Sequence, residues 1–356
     1  MKMTKMHLVN SESIQDLLRF KYVIFAGDSC MRTIYKDMVL LLQGTDRLLT
    51  EQELKAKSKR SICNDHLLEG GIYSSSTLGN NSTYYEKRAY FTTNHLMKFV
   101  FLTRCLNAQM FSILKEIDKH NHDPKLQKPD VILLNSAIWD ITQYRDYGGE
   151  NVELEYKTML NECFKLLSEF IPENCIVIWL TTLPFSEDAK AGVFNNSYHR
   201  KKFLRIRILE INTYSSYLAS KYGFEVIDLH RLFRGRTEHR VDDGMHYDEI
   251  VHREITTIIA KHIACIWNVK LSVPISSLPL TIDDDEKTPR DNDQCCKQIL
   301  ASIVDKIDNV QLTIEEKTVL EQYFKLKNDT IVFDVENLSD KEKQAMYLLN
   351  YYEKLL

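Results

Sequence analysis

Residues Tyr22–Gln43 read YVIFAGDSCMRTIYKDMVLLLQ. Tyr22 to Ala26 is a short apolar run rich in β-formers, the pattern of a central strand in a parallel sheet. Gly27-Asp28-Ser29 breaks the run. From Cys30 onward Ile34, Met38, Leu41 and Leu42 recur at helical spacing. The segment therefore predicts strand, sharp polar turn, helix. In open α/β sheets ligands collect at the carboxyl ends of strands, where helix N-termini offer backbone N–H groups and partial positive charge. A serine at such a turn, Ser29, can present its hydroxyl to a substrate. Gly27 can adopt positive φ, and Asp28 can hold the turn by bonding nearby backbone. Read alone, Asp28 or Ser29 could equally do no more than cap the helix.

The rest of the chain repeats the alternation. A short helix is expected over Ser13–Phe20, and residues 44–64 are charged and partly helical. Strands are expected near Tyr84–Tyr90, at Met97–Leu102, up to Asn135, at Cys175–Thr181 and at Phe224–Leu229. Helices are expected at Ala108–His120, Glu153–Phe170, Arg200–Tyr222 and Tyr247–Trp267. The stretches 66–83 and Phe185–Asn196 read as loops. Alternating strands and helices predict a three-layer α/β/α sandwich, flavodoxin-like, around a mostly parallel sheet of about five strands with right-handed crossovers. After residue 273 the character changes. Pro274, Pro279 and Pro289 surround the acidic run Asp283–Glu286, a linker pattern. Helical patterns with capping-box signals follow. The expected division is a lead-in at 1–20, the α/β domain at 21–273, a linker at 274–292 and a helical extension at 293–356.

Composition sets the outer limits. The chain has 356 residues, 44% of them hydrophobic and 27% charged, with a net charge of −4. That balance is globular and gives no basic footprint for nucleic acid. Eight scattered cysteines suit reduced thiols better than a disulfide framework. No run approaches a membrane span. MKMTKMHLVNSESIQDLL lacks the unbroken apolar run of a signal peptide, so an intracellular location, cytoplasmic or nuclear, is expected, with the Asn-x-Ser/Thr sites left unmodified. The histidines and cysteines show no metal-ligand grouping, and no metal or cofactor is expected.

A second chemical signal lies at residues 240–247, Arg-Val-Asp-Asp-Gly-Met-His-Tyr. It falls between the last strand and the last helix. Asp243 stands three residues before His246, close enough to fold back on the imidazole and fix its tautomer; Asp242 is the alternative. Alone, this is a glycine-containing turn with an N-cap Asp and a surface His. Together with Ser29 at the same sheet edge it makes a candidate triad, in the order Ser, Asp, His. A third signal, Asn135 in Leu134–Asp140, again ends a strand. Asn135 could offer an amide N–H to a developing oxyanion or simply form an Asx turn. Gly70 or Gly71 could bring a backbone N–H to the same place.

These blocks, GDSxxR, YKDxVLLLQ, NSxxWD, IDLHxxFR and DGxHY, resemble those of the animal PC-esterase domain-containing proteins, a branch of the SGNH (GDSL-type) hydrolases. The resemblance runs from about Lys21 to Val273. It implies acyl-ester hydrolysis or transfer, with Ser29 as nucleophile, His246 as general base and Asp243 as its orienting acid. It also implies an oxyanion hole from the N–H of Ser29, a glycine (Gly71) and Asn135. Cys30 and Met31 stand where the family usually has an aliphatic residue and Gln, and Ser136 stands where the wider superfamily has Asp. Arg32 and Trp139 are candidate substrate contacts. Arg32 either binds an anionic group or, the preferred reading, ties the turn to Asp140. Lys36 and Asp37 read as a solvated helix face. Cys30 begins the helix and is expected to point away from the nucleophile's position. The expected partner is a small-molecule or glycan-like acyl ester, with the C-terminal helices free to meet a protein. A silent binding module on the same fold and an acyltransferase are the alternatives.

Overall fold

The structure is a computed structural model and describes residues 8–70, 84–142, 152–190 and 204–271. The expected linker and helical extension, Gly71, and the end of the loop expected at 185–196 lie outside these residues. Among the described residues no helix is long and apolar enough to cross a membrane.

Among the described residues one seven-stranded sheet organises the fold, in the order β2-β3-β4-β1-β5-β6-β7. Five strands form its parallel part: β4 (His95–Phe101), β1 (Lys21–Gly27), β5 (Val131–Leu134), β6 (Ile176–Leu180) and β7 (Glu225–Ile227). They match the five expected strands. Two more, β3 (Glu86–Phe91) and β2 (His66–Gly70), extend the β4 side in antiparallel fashion. β2 was expected to be loop. Its burial runs exposed, intermediate, exposed, exposed, intermediate, so as an edge strand it carries no apolar alternation to announce it.

β1 shows why the layers form. Its side chains alternate between faces. Tyr22, Ile24 and Ala26 join a core with residues of α4 (Ala108–His122), α6 (Val152–Phe170) and α7 (Leu204–Lys221). Val23 and Phe25 join the opposite core with α1 (Ser11–Leu17), α2 (Ser29–Leu42) and α9 (Glu249–Ile266). Two short helices, α5 (Ile138–Thr142) and α8 (Leu229–Phe233), follow β5 and β7 directly. The α3 helix (Glu51–Lys55) opens with a capping box between Thr50 and Glu53.

α2 departs from the expected amphipathic helix. Every residue from Met31 to Leu42 is buried. It is enclosed on all sides, so its charged groups must find partners within the protein. The Lys36 ammonium donates to the carbonyls of Glu53, Leu54 and Ala56 at 2.7, 3.1 and 2.7 Å, closing the C-terminal end of α3. Burial pushes its pKa down to about 7. Asp37 takes a forked ion pair from Arg253 of α9, with Nε and Nη2 both at 3.0 Å. Arg253 also donates to the carbonyls of Asp46 and Arg47. The Asp37 side chain is fully buried and that of Arg253 is 3% exposed. The solvated face expected for Lys36 and Asp37 is therefore an internal joint between α2, α3 and α9.

Removing one member of such a pair strands a charge in the interior. Arg253→Met is expected to cost about 3–5 kcal/mol in urea unfolding. Asp37→Leu combined with Arg253→Met is expected to recover part of that loss, since no lone charge remains.

Candidate active site

β1 ends at Gly27, and Asp28 caps α2 by accepting a hydrogen bond from Cys30 N–H at 2.9 Å. Ser29 is therefore the first residue of α2, and its backbone N–H belongs to the donors a helix leaves without an internal acceptor. Asn135 follows β5, the strand beside β1. Its Oδ1 accepts from Asp28 N–H at 3.1 Å, and its Nδ2 donates to Asp28 Oδ1 at 3.0 Å. The donor on Asp28 fixes which amide atom is which.

Gly27 is required here by closeness, and its φ is not positive as had been expected. A Cβ at Gly27 would sit 1.7 Å from Asn135 Oδ1 and 2.9 Å from Met31 Cβ. Two residues beyond Asn135, Ala137 holds a φ of 118°, a strained backbone for a residue with a side chain and of the kind that gathers at functional edges.

The loop from Arg240 to Tyr247 doubles back on itself through a bridge between those two residues. Gly244 turns it at φ 71°. Val241 N–H donates to the His246 carbonyl, and the loop is pinned to the segment after β6 by Ser186 N–H to Gly244 O and Lys190 N–H to Asp243 O. Asp243 Oδ1 accepts from Met245 and His246 N–H at 2.8 and 2.9 Å, and Asp243 Oδ2 lies 2.5 Å from His246 Nδ1. Ser29 Oγ lies 2.7 Å from His246 Nε2. Burial works to raise the Asp243 pKa, but the hydrogen bond and charge of His246 and the two backbone donors outweigh it and hold the carboxyl at about 2. An ionised carboxylate only accepts, so Nδ1 carries the proton and Nε2 turns its lone pair to Ser29.

The cleft over these groups has a volume of about 30 Å³. Its walls include Asp28, Asn135, the Thr181–Leu183 segment after β6, Met245, Tyr247 and His252. Thr182 and His252 carried no signal in the sequence, because their place depends on which strand and helix ends converge. Cys30 touches the cleft too, but burial, then the Asp28 charge, push its thiol well up. Among the described residues no three of His, Cys, Asp and Glu converge as metal ligands would.

Two expected contacts lie elsewhere. Arg32 turns to β3, where its guanidinium meets the buried Glu86 carboxylate at 2.9 Å and the Tyr84 hydroxyl at 3.3 Å. It neither lines the cleft nor reaches Asp140, whose cation is Arg104 at 3.6 Å. The buried acid on β3 decides this, since Glu86 also serves Arg88. Trp139 packs edge-on to Phe101, 6.1 Å between ring centres, and lies outside the cleft lining. Of the two candidate glycines, Gly70 ends the edge strand β2 and is absent from the lining, and Gly71 is not among the described residues.

A hydroxyl, an imidazole and a carboxylate in sequential contact are the arrangement of serine hydrolases. No family model matches the chain. PC-esterase domain-containing protein 1B of Rattus norvegicus is 36% identical to it over 267 residues, 73% of this chain and 59% of that protein. The Homo sapiens 1B protein is 35% identical over 268 residues, 75% of this chain and 59% of that protein. The Mus musculus 1A protein is 35% identical over 265 residues, 74% of this chain and 56% of that protein. The chain belongs to the PC-esterase domain-containing protein family, and it spans under three-fifths of the length of these relatives. Among solved structures, a lipase/acylhydrolase from Enterococcus faecalis aligns at 15% identity and a TM-score of 0.37, over 72% of this chain and 99% of that one. The acetyl xylan esterase AlAXEase aligns at 12% and 0.39, over 68% and 98%. Likenesses that slight carry no argument about chemistry.

The geometry makes two predictions. Gly27→Ala drives a methyl into Asn135 and is expected to cost about 1–3 kcal/mol of stability, read by chemical denaturation. The Asp243 carboxyl sits below its ordinary 3.8, at about 2. Its stabilisation is therefore complete above pH 4 and lost as pH falls through 2. The stability difference between wild type and Asp243→Asn is expected to shrink over that window.

Proposed function

We propose that the chain is a serine acyl esterase, with Ser29 as nucleophile, His246 as general base and Asp243 as the group that orients and charge-balances the imidazole. The observation that carries this reading is the continuous contact from Ser29 Oγ to His246 at 2.7 Å and from His246 to Asp243 at 2.5 Å. The curated relatives' shared name, PC-esterase domain-containing protein, supports the same reaction class.

The steps follow from the groups present. His246 Nε2 takes the Ser29 proton as Oγ bonds to the ester carbonyl carbon. The resulting oxyanion meets the Ser29 backbone N–H and the N–H of Asn135 that Asp28 leaves free. Asp243, held ionised, steadies the imidazolium. His246 then returns the proton to the departing alcohol oxygen as the C–O bond breaks, leaving an acyl-serine. Water repeats the sequence, with His246 as its base, and releases the acid and Ser29.

Purified protein is expected to be labelled at Ser29 by a fluorophosphonate and to turn over activated esters. Ser29→Ala and His246→Ala are expected to abolish both while leaving stability within about 1 kcal/mol. Asn135→Ala is expected to lower kcat by about 10²–10³. A well-folded wild type that neither labels nor hydrolyses would favour a binding module on the same fold.

A further inference from the structure

His252, the fourth residue of α9, lines the same cleft as Ser29, Cys30, His246 and Tyr247. Its ring is 2% exposed. Nδ1 is sealed from solvent and has no hydrogen-bond partner among the described residues, and Nε2 has none either. Of the two nitrogens only Nδ1 is fully sealed, so Nε2 is the atom that can meet the cleft. A neutral imidazole has one N–H and one lone pair to place. A buried N–H without an acceptor is rarer and costlier than an unused lone pair. The sealed nitrogen therefore takes the lone pair, and the proton sits on Nε2.

We propose that His252 is a substrate contact, donating from Nε2–H to an oxygen of the substrate beside the scissile carbonyl. This rests on the esterase reading and adds a preference to it. The groups around the ring leave that donor unanswered among the described residues. Burial, with the charges of His246 and Lys36, holds His252 uncharged down to about pH 3. Tyr247 spends its hydroxyl on the Pro184 carbonyl. Cys30 stays a neutral thiol. Asp28, the one carboxylate among the described lining residues, is committed to Cys30 N–H and Asn135. A site with a buried donor rejects the analogue that lacks the matching acceptor, because that analogue leaves the donor unpaired.

The test uses two isosteric ester pairs on the full chain. One pair, 4-nitrophenyl hydroxyacetate and propionate, changes an oxygen on the acyl side. The other, the acetates of 2-methoxyethanol and butanol, changes one on the alcohol side. Ratios of kcat/KM are corrected for hydroxide reactivity. Wild type is expected to favour the oxygen-bearing member of at least one pair by about tenfold or more. His252→Leu is expected to erase that ratio without lowering Tm, since it removes an unsatisfied buried atom. His252→Gln keeps an N–H donor and is expected to restore part of the ratio. No preference in either pair, or a preference that survives in His252→Leu, overturns the proposal. If wild type hydrolyses none of the four and Ser29 takes no fluorophosphonate, the esterase reading fails instead. The contact is then read by titrating hydroxyacetamide and propionamide against the His252 ring NMR signals. Equal affinities overturn it. Tighter binding of hydroxyacetamide, lost in His252→Leu, upholds it.

Discussion

The buried pair between Asp37 and Arg253 is the constraint on which the rest of the site depends. Ser29 opens α2, and His246 lies just before α9. Asp37 is eight residues beyond Ser29, and Arg253 is seven beyond His246. Along α2 that is roughly 12 Å at the helical rise, and on the other side Arg253 is the fifth residue of α9. The Ser29–His246 contact at 2.7 Å and the Asp37–Arg253 contact at 3.0 Å are thus two rungs between the same two chain segments. The lower rung is forked and fully enclosed, which fixes direction as well as distance. A helix pair held at one level by apolar packing alone could slide. Ionic partners with two parallel hydrogen bonds restrict that freedom, and the restriction is carried up to the Ser29–His246 contact.

A second joint fixes the remaining wall. Asp28 and Asn135 exchange two hydrogen bonds across the ends of β1 and β5. This is possible only because Gly27 has no side chain to intervene. The same exchange uses one Nδ2 hydrogen of Asn135 and leaves the other for an incoming oxygen. A further set of buried charges, Arg32 with Glu86 and Arg88 with Glu86 and Asp65, ties the first turns of α2 to the antiparallel edge of the sheet. With Lys36 on the carbonyls at the end of α3, four polar joints thus bind α2 to its neighbours. Apolar residues of the same shape can match a buried pair in stability, but each pair makes one arrangement of α2 far better satisfied than its alternatives.

What the sequence disclosed follows from the range of each interaction. The five parallel strands were legible because a strand buried on both faces reads as an unbroken apolar run. Asp243 and His246 were legible because their contact spans three residues, and Ser29 because its turn is local. Asn135 was found as a strand-end residue, though its partner Asp28, 107 positions away, was not. The side-chain failures are long-range. Periodicity cannot tell a helix covered on one side from one covered on every side, so Lys36 and Asp37 read as solvated. Arg32 was matched to Asp140 because both flank strand ends, but Glu86, already buried and shared with Arg88, lay closer. β2, an exposed edge strand, has no alternation to read. His252 had no signal at all, since six residues separate it from His246 and only the convergence of α2 and α9 makes it a wall of the cleft.

The two imidazoles of the cleft show how one fold assigns different work to the same side chain. His246 is about a third exposed and faces a carboxylate that holds one of its nitrogens. That pairing suits a group which must gain and lose a proton with each turnover. His252 is enclosed and faces no free carboxylate, so gaining a proton there would set an unpaired charge in the interior beside the imidazolium of His246. It is thereby restricted to neutral hydrogen bonding. A cleft with two proton-accepting histidines would divide the Ser29 proton between competing bases. On the proposed mechanism, with His252 kept uncharged, the proton has one destination, His246 Nε2, and the second ring keeps its donor for the substrate.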